Sequence, residues 1–213
     1  MTDGGQAGRL SRAKVVILGR DNCGKTALCV RFITKRFIGE YDHKKEVTYR
    51  CRKIVDKEAI DLEILDTANK KGVGSAASSL EASIKWGDGF LIIYSITDRS
   101  SFEAVSHLKR LIDHVKQNLG IPTVIVANKS DMENGRVVRT EEGQSLASDL
   151  RCHFYELSVA ESSAAVEAAF SQLVREVRLE FHKHLIAMDK RSRVLQMRHA
   201  LKSKLTRSKT MQW

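Results

Sequence analysis

Residues 19–26, Gly19-Arg20-Asp21-Asn22-Cys23-Gly24-Lys25-Thr26, fit the spacing G-x-x-x-x-G-K-[ST] in full. These residue types at this spacing bind phosphate. Successive backbone N–H groups curl around the oxygens, and a helix N-terminus behind them adds partial positive charge. Lys25 brings a full charge to the outer phosphates, and the Thr26 hydroxyl is placed for Mg²⁺. A second run, Asn128-Lys129-Ser130-Asp131, selects among bases. A carboxylate accepts from both the ring N–H and the exocyclic amine of guanine, whereas adenine presents an acceptor at that ring position. Either run alone also occurs as a polar turn, so the surrounding elements decide its meaning.

The chain of 213 residues and 24.0 kDa suits one domain with an appendage. Short β-rich apolar runs at 14–18, 47–55, 60–65, 90–96, 123–127 and 153–157 predict strands, with a turn at 56–59. Helical spacing covers about 24–37, 101–118 (starting at a Ser cap), 140–150 and 162–181. Strands alternating with helices predict an α/β fold, a mostly parallel sheet with helices on both faces. Ligands of such sheets sit at the carboxyl ends of the strands. The first run follows the strand at 14–18 and opens a helix; the second follows the strand at 123–127 at the same sheet edge.

Composition excludes several classes. Apolar residues at 42% and charged residues at 29% are a globular mix. No apolar run approaches the roughly 20 residues of a membrane span. The N-terminus lacks a basic-then-apolar signal, Thr2 stands where myristoylation needs glycine, and no cysteine follows Cys152 for prenylation. Four scattered cysteines suit a reducing compartment, so a cytoplasmic monomer is expected. The net charge of +10 is concentrated at one end: residues 182–213 hold nine Lys or Arg against Asp189 alone. The expected division is a flexible lead at 1–12, a near-neutral domain at 13–182 and a basic tail at 183–213. In the tail, Val194, Met197, Leu201 and Leu205 recur at helical spacing among basic residues. An anionic membrane surface, a calmodulin-like acidic groove, and RNA or nuclear import compete as its use with a plain solvated extension of the last helix, so peripheral membrane or nuclear association is open. Nucleic acid is not the expected partner.

With both runs in order, the chain resembles the Ras superfamily of small GTPases over about residues 13–182. Asp66-Thr67-Ala68 matches the start of that family's D-T-A-G-Q segment, and residues 156–160, Glu-Leu-Ser-Val-Ala, look like its E-x-S-A-K loop. Residues 31–41 and 86–90 are closest to the branch of oestrogen-regulated growth inhibitors. The resemblance implies a three-layer P-loop NTPase fold with six strands and five helices, GDP/GTP and Mg²⁺ binding, and slow hydrolysis. It implies a nucleotide-binding set of Gly19, Asp21, Asn22, Cys23, Gly24, Lys25, Thr26, Ala27, Phe37, Asp66, Thr67, Ala68, Asn128, Lys129, Asp131, Ser158, Val159 and Ala160. Within it, Phe37 lies against the guanine edge, Lys129 along the base, Ser158 braces Asp131 and the Val159 N–H meets the guanine oxygen. Thr26 and Asp66 are the implied metal residues, Asp66 through a water.

The departures cluster at the γ-phosphate. Asp21 and Asn22 stand where the family has two small residues, Lys44 replaces the Mg²⁺-binding threonine, and Asn69 and Lys70 replace the glycine and catalytic glutamine. An ammonium group has donors and no acceptor, so Lys70 cannot orient an attacking water as glutamine does. Ala160 replaces the lysine of the S-A-K loop. Slow or impaired hydrolysis is expected, with Lys44 and Lys70 either facing solvent or neutralising γ-phosphate charge. A partner is expected at residues 38–53 and 66–80; Lys44, Lys45, Arg50, Arg52 and Lys53 there disfavour basic effector domains. A non-cycling scaffold and a tail-driven binding module stand as alternatives.

Overall fold

The computed structural model describes residues 9–38, 46–67, 75–118 and 120–209, with the backbone alone at 75–78, 192 and 194–209. The elements are β1 (Arg12–Leu18), α1 (Lys25–Thr34), β2 (Val47–Val55), β3 (Glu58–Asp66), α2 (Ser75–Trp86), β4 (Gly89–Ser95), α3 (Arg99–Lys116), β5 (Thr123–Asn128), a 3₁₀ turn at Glu133–Gly135, α4 (Thr140–Asp149), β6 (His153–Glu156) and α5 (Ser163–Lys209). The six strands form one sheet in the order β2-β3-β1-β4-β5-β6. Every pairing is parallel except the β2–β3 hairpin. This is the α/β architecture that the alternation of strand and helix patterns predicts.

The central strands β4 and β5 are buried along their whole length, which is why they read as unbroken apolar runs. On one face Val15, Ile17, Ile64, Leu91, Ile93 and Val126 pack with Leu28 and Phe32 of α1 and Phe170 and Leu173 of α5. Phe32 and Phe170 stack with ring centroids 3.8 Å apart. On the other face Val16, Leu18, Phe90, Ile92 and Ile125 pack with Ile84 of α2 and Val105 and Ile112 of α3.

Three boundaries differ from the sequence expectation, each for a local reason. Helix α1 stops at Thr34, because Lys35 turns left-handed (φ 63°) and its N–H closes onto the Arg31 carbonyl. Phe37 is therefore off the helix. The hairpin turn is only Asp56-Lys57, both left-handed (φ 52° and 66°) as a type I′ turn requires, so β3 begins at Glu58. The cap of α3 is Asp98, whose carboxylate accepts from the Ser100 and Ser101 N–H groups; no serine caps it. Helix α2 is the fifth helix that the resemblance implies, and no run of helical spacing in the sequence marks it. Its surroundings are rich in Gly, Ala and Ser, and Leu80 and Ile84 are the main apolar pair at helical spacing.

Residues 10–177 form one compact unit, and the described residues from 178 to 209 belong to another. In the second, α5 runs on as helix to Lys209, since residues 163–209 contain neither Gly nor Pro to end it. Its side chains pair along the helix, Arg193 with Asp189 at 2.9 Å. No described helix is long and apolar enough to cross a membrane.

Candidate functional site

The loop between β1 and α1 is built to hold an anion. Gly19 lies at φ 153° with its Cα so close to β4 that a Cβ would come within 2.2 Å of the Ile93 carbonyl oxygen. Gly24, the N-cap of α1, lies at φ 97°. No side chain caps α1 and its first turn has no acid, so its N-terminal N–H groups keep their partial positive charge for a ligand. Lys25 is only 8% exposed. Its ammonium donates to the carbonyls of Gly19 (3.0 Å) and Arg20 (2.9 Å), which are neutral, and the Asp21 carboxylate lies 4.0 Å away. Two of three donors are thus used within the loop, and the third remains for an anion.

Behind Lys25 the Thr26 hydroxyl donates to the Asp66 carboxylate at 2.6 Å, joining the start of α1 to the end of β3. A hydroxyl and a carboxylate converging beside a phosphate-type loop are the oxygen donors that a hard cation takes, so the pair fits Mg²⁺. The Thr67 hydroxyl donates to the Ile17 carbonyl at 2.7 Å, which ties the end of β3 to β1.

Asn128, at the end of β5 and buried, is the hinge of the site. Its side-chain N–H donates to the Cys23 carbonyl at 2.8 Å, and its Oδ1 accepts from the Val159 N–H at 3.0 Å. One amide therefore fastens the phosphate-type loop to the loop after β6. The second loop is held further by Ser130 N–H to the Leu157 carbonyl (3.3 Å) and by Arg31, which reaches the Glu161 carbonyl at 3.2 Å. Glu156 takes a two-armed bond from Arg136 (2.7 and 3.1 Å) and another from Thr140.

Around Asn128 opens a cleft of about 320 Å³, lined by Asn22, Gly24, Ala27, Phe37, Ile38, Asn128, Lys129, Asp131, Met132, Ser158, Val159 and Ala160. Ten of these twelve come from the sequence reading. Ile38 and Met132 do not, although each directly follows a residue that was singled out. Phe37, Ile38 and Met132 are about half exposed, which gives the cleft an apolar rim.

Two of the expected groups also bond within the protein. The Val159 N–H donates to the Asn128 Oδ1. The Ser158 hydroxyl accepts from the Glu161 N–H at 3.2 Å, which fixes it within the loop after β6 and leaves its own O–H as a donor. Cys23 contributes its carbonyl, while its side chain is buried in the core and burial pushes the thiol's pKa up. Its side chain is a small apolar core filler. Lys44, Ala68, Asn69 and Lys70 lie outside the described residues, as do 39–45 and 68–74 of the expected partner segments. Among the described residues no group of three or more His, Cys, Asp or Glu is placed to hold a metal.

The Ras family model matches residues 14–179. The Ras-related and estrogen-regulated growth inhibitor of Homo sapiens is 44% identical over 168 residues, covering 79% of this chain and 82% of that protein. The Ras-related and estrogen-regulated growth inhibitor-like protein of Bos taurus is 39% identical over 177 residues, 81% of this chain and 86% of its own. GTP-binding protein Rit1 of Mus musculus is 39% identical over 180 residues, 84% and 80% respectively.

Proposed function

The chain belongs to the Ras family of small GTP-binding signalling proteins, and from that premise we propose a guanine-nucleotide switch whose γ-phosphate chemistry is impaired. One observation carries the binding half: a single buried amide, Asn128, ties a phosphate-type loop to a base-sized cleft that has Asp131 on its wall. Asp131 accepts from guanine's ring N–H and amine, and Phe37, Ile38 and Met132 cover the base's apolar faces. Lys25 and the N-terminus of α1 neutralise the outer phosphates. Thr26 and Asp66 would hold Mg²⁺, which supplies further charge neutralisation at the phosphate oxygens.

The hydrolytic half rests on chemistry that the chain lacks. Lys70 has no acceptor to orient a water, and Lys44 has no hydroxyl for the cation. Asp21 adds a negative charge 4.0 Å from the Lys25 ammonium, next to the place of the γ-phosphate. Partners are expected at residues 38–53 and 66–80. The basic end of α5 suits reversible, salt-sensitive contact with an anionic membrane or an acidic protein from the cytoplasm.

The test is competition for a fluorescent GDP analogue on EDTA-stripped, Mg²⁺-reloaded protein. GDP and GTP should displace the probe at least a hundred-fold better than ADP, and Asp131→Ala should erase most of that preference. Equal displacement by ADP, or no retention of any nucleotide, overturns the proposal. A non-cycling scaffold, which the replacements at Lys44, Asn69 and Lys70 favour, would then take its place.

A further inference from the structure

The half of the sheet formed by β2, β3 and β1 has two unlike faces. One is apolar and packed: Val55, Ile60, Leu62 and Ile64 lie with Leu28 and Phe32 of α1. The other carries charge in rows. Arg52 on β2 stands opposite Asp61 on β3, which stands opposite Arg12 on β1. Two residues along, Arg50 stands opposite Glu63, and Glu63 opposite Lys14. Each row reads basic, acidic, basic, so four cations face two carboxylates.

The layers differ in height. Arg50 and Arg52 side chains are 79% and 76% exposed, whereas Glu63 is 18% and Asp61 51% exposed. The guanidinium groups touch those carboxylates only at 3.9 and 3.8 Å, so most of their five donors are left for another acceptor. Two clefts of about 440 and 420 Å³ run along this face, share Arg50 and Glu63, and reach from Arg12 to Trp86 of α2. Lys14 lies over the Trp86 ring, 5.2 Å from its centroid.

We propose that this face docks an extended acidic segment of a partner protein, one with carboxylates at alternate residues. Residues two apart on a strand lie about 6.8 Å apart on one face, so the two rows have the repeat of an extended peptide. Alternate carboxylates of such a segment meet Arg50 and Arg52 in turn, and its backbone N–H groups meet the lower Glu63 and Asp61. A phosphodiester chain has no such donors and would face both carboxylates unrelieved, which favours a peptide over nucleic acid. Edge strands often carry charge simply to prevent aggregation, but that needs no ordered rows across three strands. The inference rests on residues 46–53 being a partner surface, and it does not depend on the nucleotide reading.

The experiment uses the full chain and a rhodamine-labelled decapeptide of alternating Glu and Thr, followed by anisotropy at low salt. The pair Arg50→Glu/Arg52→Glu should weaken peptide binding at least ten-fold. The pair Arg191→Glu/Arg193→Glu on α5 should leave it within two-fold. A cooperative thermal unfolding transition in both variants reports that the domain is folded, whether or not nucleotide is bound. No binding by the unmutated chain, unchanged binding after charge reversal on β2, loss only with the α5 variant, or tighter binding of an oligothymidylate of equal charge would each overturn the proposal.

Discussion

Removing the Asn128 side chain probes the structure where it joins loop to loop. Asn128→Ala deletes two buried hydrogen bonds, to the Cys23 carbonyl at 2.8 Å and from the Val159 N–H at 3.0 Å, and leaves both backbone groups without that partner. Orphaning a buried polar group costs about 1–3 kcal/mol, so the loss for two should be about 2–6 kcal/mol. With a urea m-value of about 2 kcal/mol/M, the unfolding midpoint should fall by roughly 1–3 M at fixed nucleotide concentration. Gly24 supplies an internal check, because a Cβ there would lie 2.4 Å from the Asn128 side-chain nitrogen. Gly24→Ala alone should expel the amide as well as strain the backbone at φ 97°. In the Asn128→Ala background only the backbone strain remains, so the double variant should lose less than the sum of the two. Full additivity, or a loss below about 1 kcal/mol for Asn128→Ala, refutes the bridge as a structural tie.

Other outcomes follow from particular side chains. Asp98→Ala removes the α3 cap and should cost about 1 kcal/mol in urea unfolding. The Ser100 hydroxyl and the cap bonds hold the Asp98 carboxyl below its ordinary pKa, so this contribution is present above the normal carboxylate range and fades as pH falls through the lowered value. An equal difference between variant and parent at pH 7 and pH 2.5 would contradict it. Burial pushes all four thiols up, Cys152 to about 11 and Cys29 well above the ordinary value. Ellman's reagent at pH 7.5 should react slowly with the native chain and with four thiols after denaturation; a fast native thiol would contradict this. Lys109 is 2% exposed on the core side of α3, where the Asp113 carboxylate is its partner. Asp113→Ala should cost about 3–5 kcal/mol, and adding Lys109→Leu should restore much of it, as read by thermal unfolding.

The parts of the fold visible in sequence are those with unbroken local patterns. Strands β1, β4 and β5 are covered on both faces and announce themselves as apolar runs. Helix α2 was hidden because its packing rests on Leu80 and Ile84 among small residues. The end of α1 was missed because a left-handed Lys35, not a glycine or proline, stops it. Likewise, Lys25, Thr26, Asn128 and Asp131 were legible from spacing, since their chemistry depends on the residue types themselves. The engagement of Val159 N–H by Asn128 was not, because it depends on a contact between residues 31 apart in sequence. Arg136 and Arg31, which hold the loop after β6, sit in no recurring pattern and emerge only from the geometry.

The most direct test loads the stripped, full-length chain with γ-labelled GTP and Mg²⁺ and follows release of labelled phosphate in a single turnover. Labelled GTP that stays bound and is cleaved well below roughly 10⁻⁴ per second is the expected result, with nucleotide binding intact and the γ-phosphate chemistry lost. Cleavage at or above that rate contradicts the roles given to Lys44, Lys70 and Asp21, and failure to retain GTP at all contradicts the nucleotide site itself.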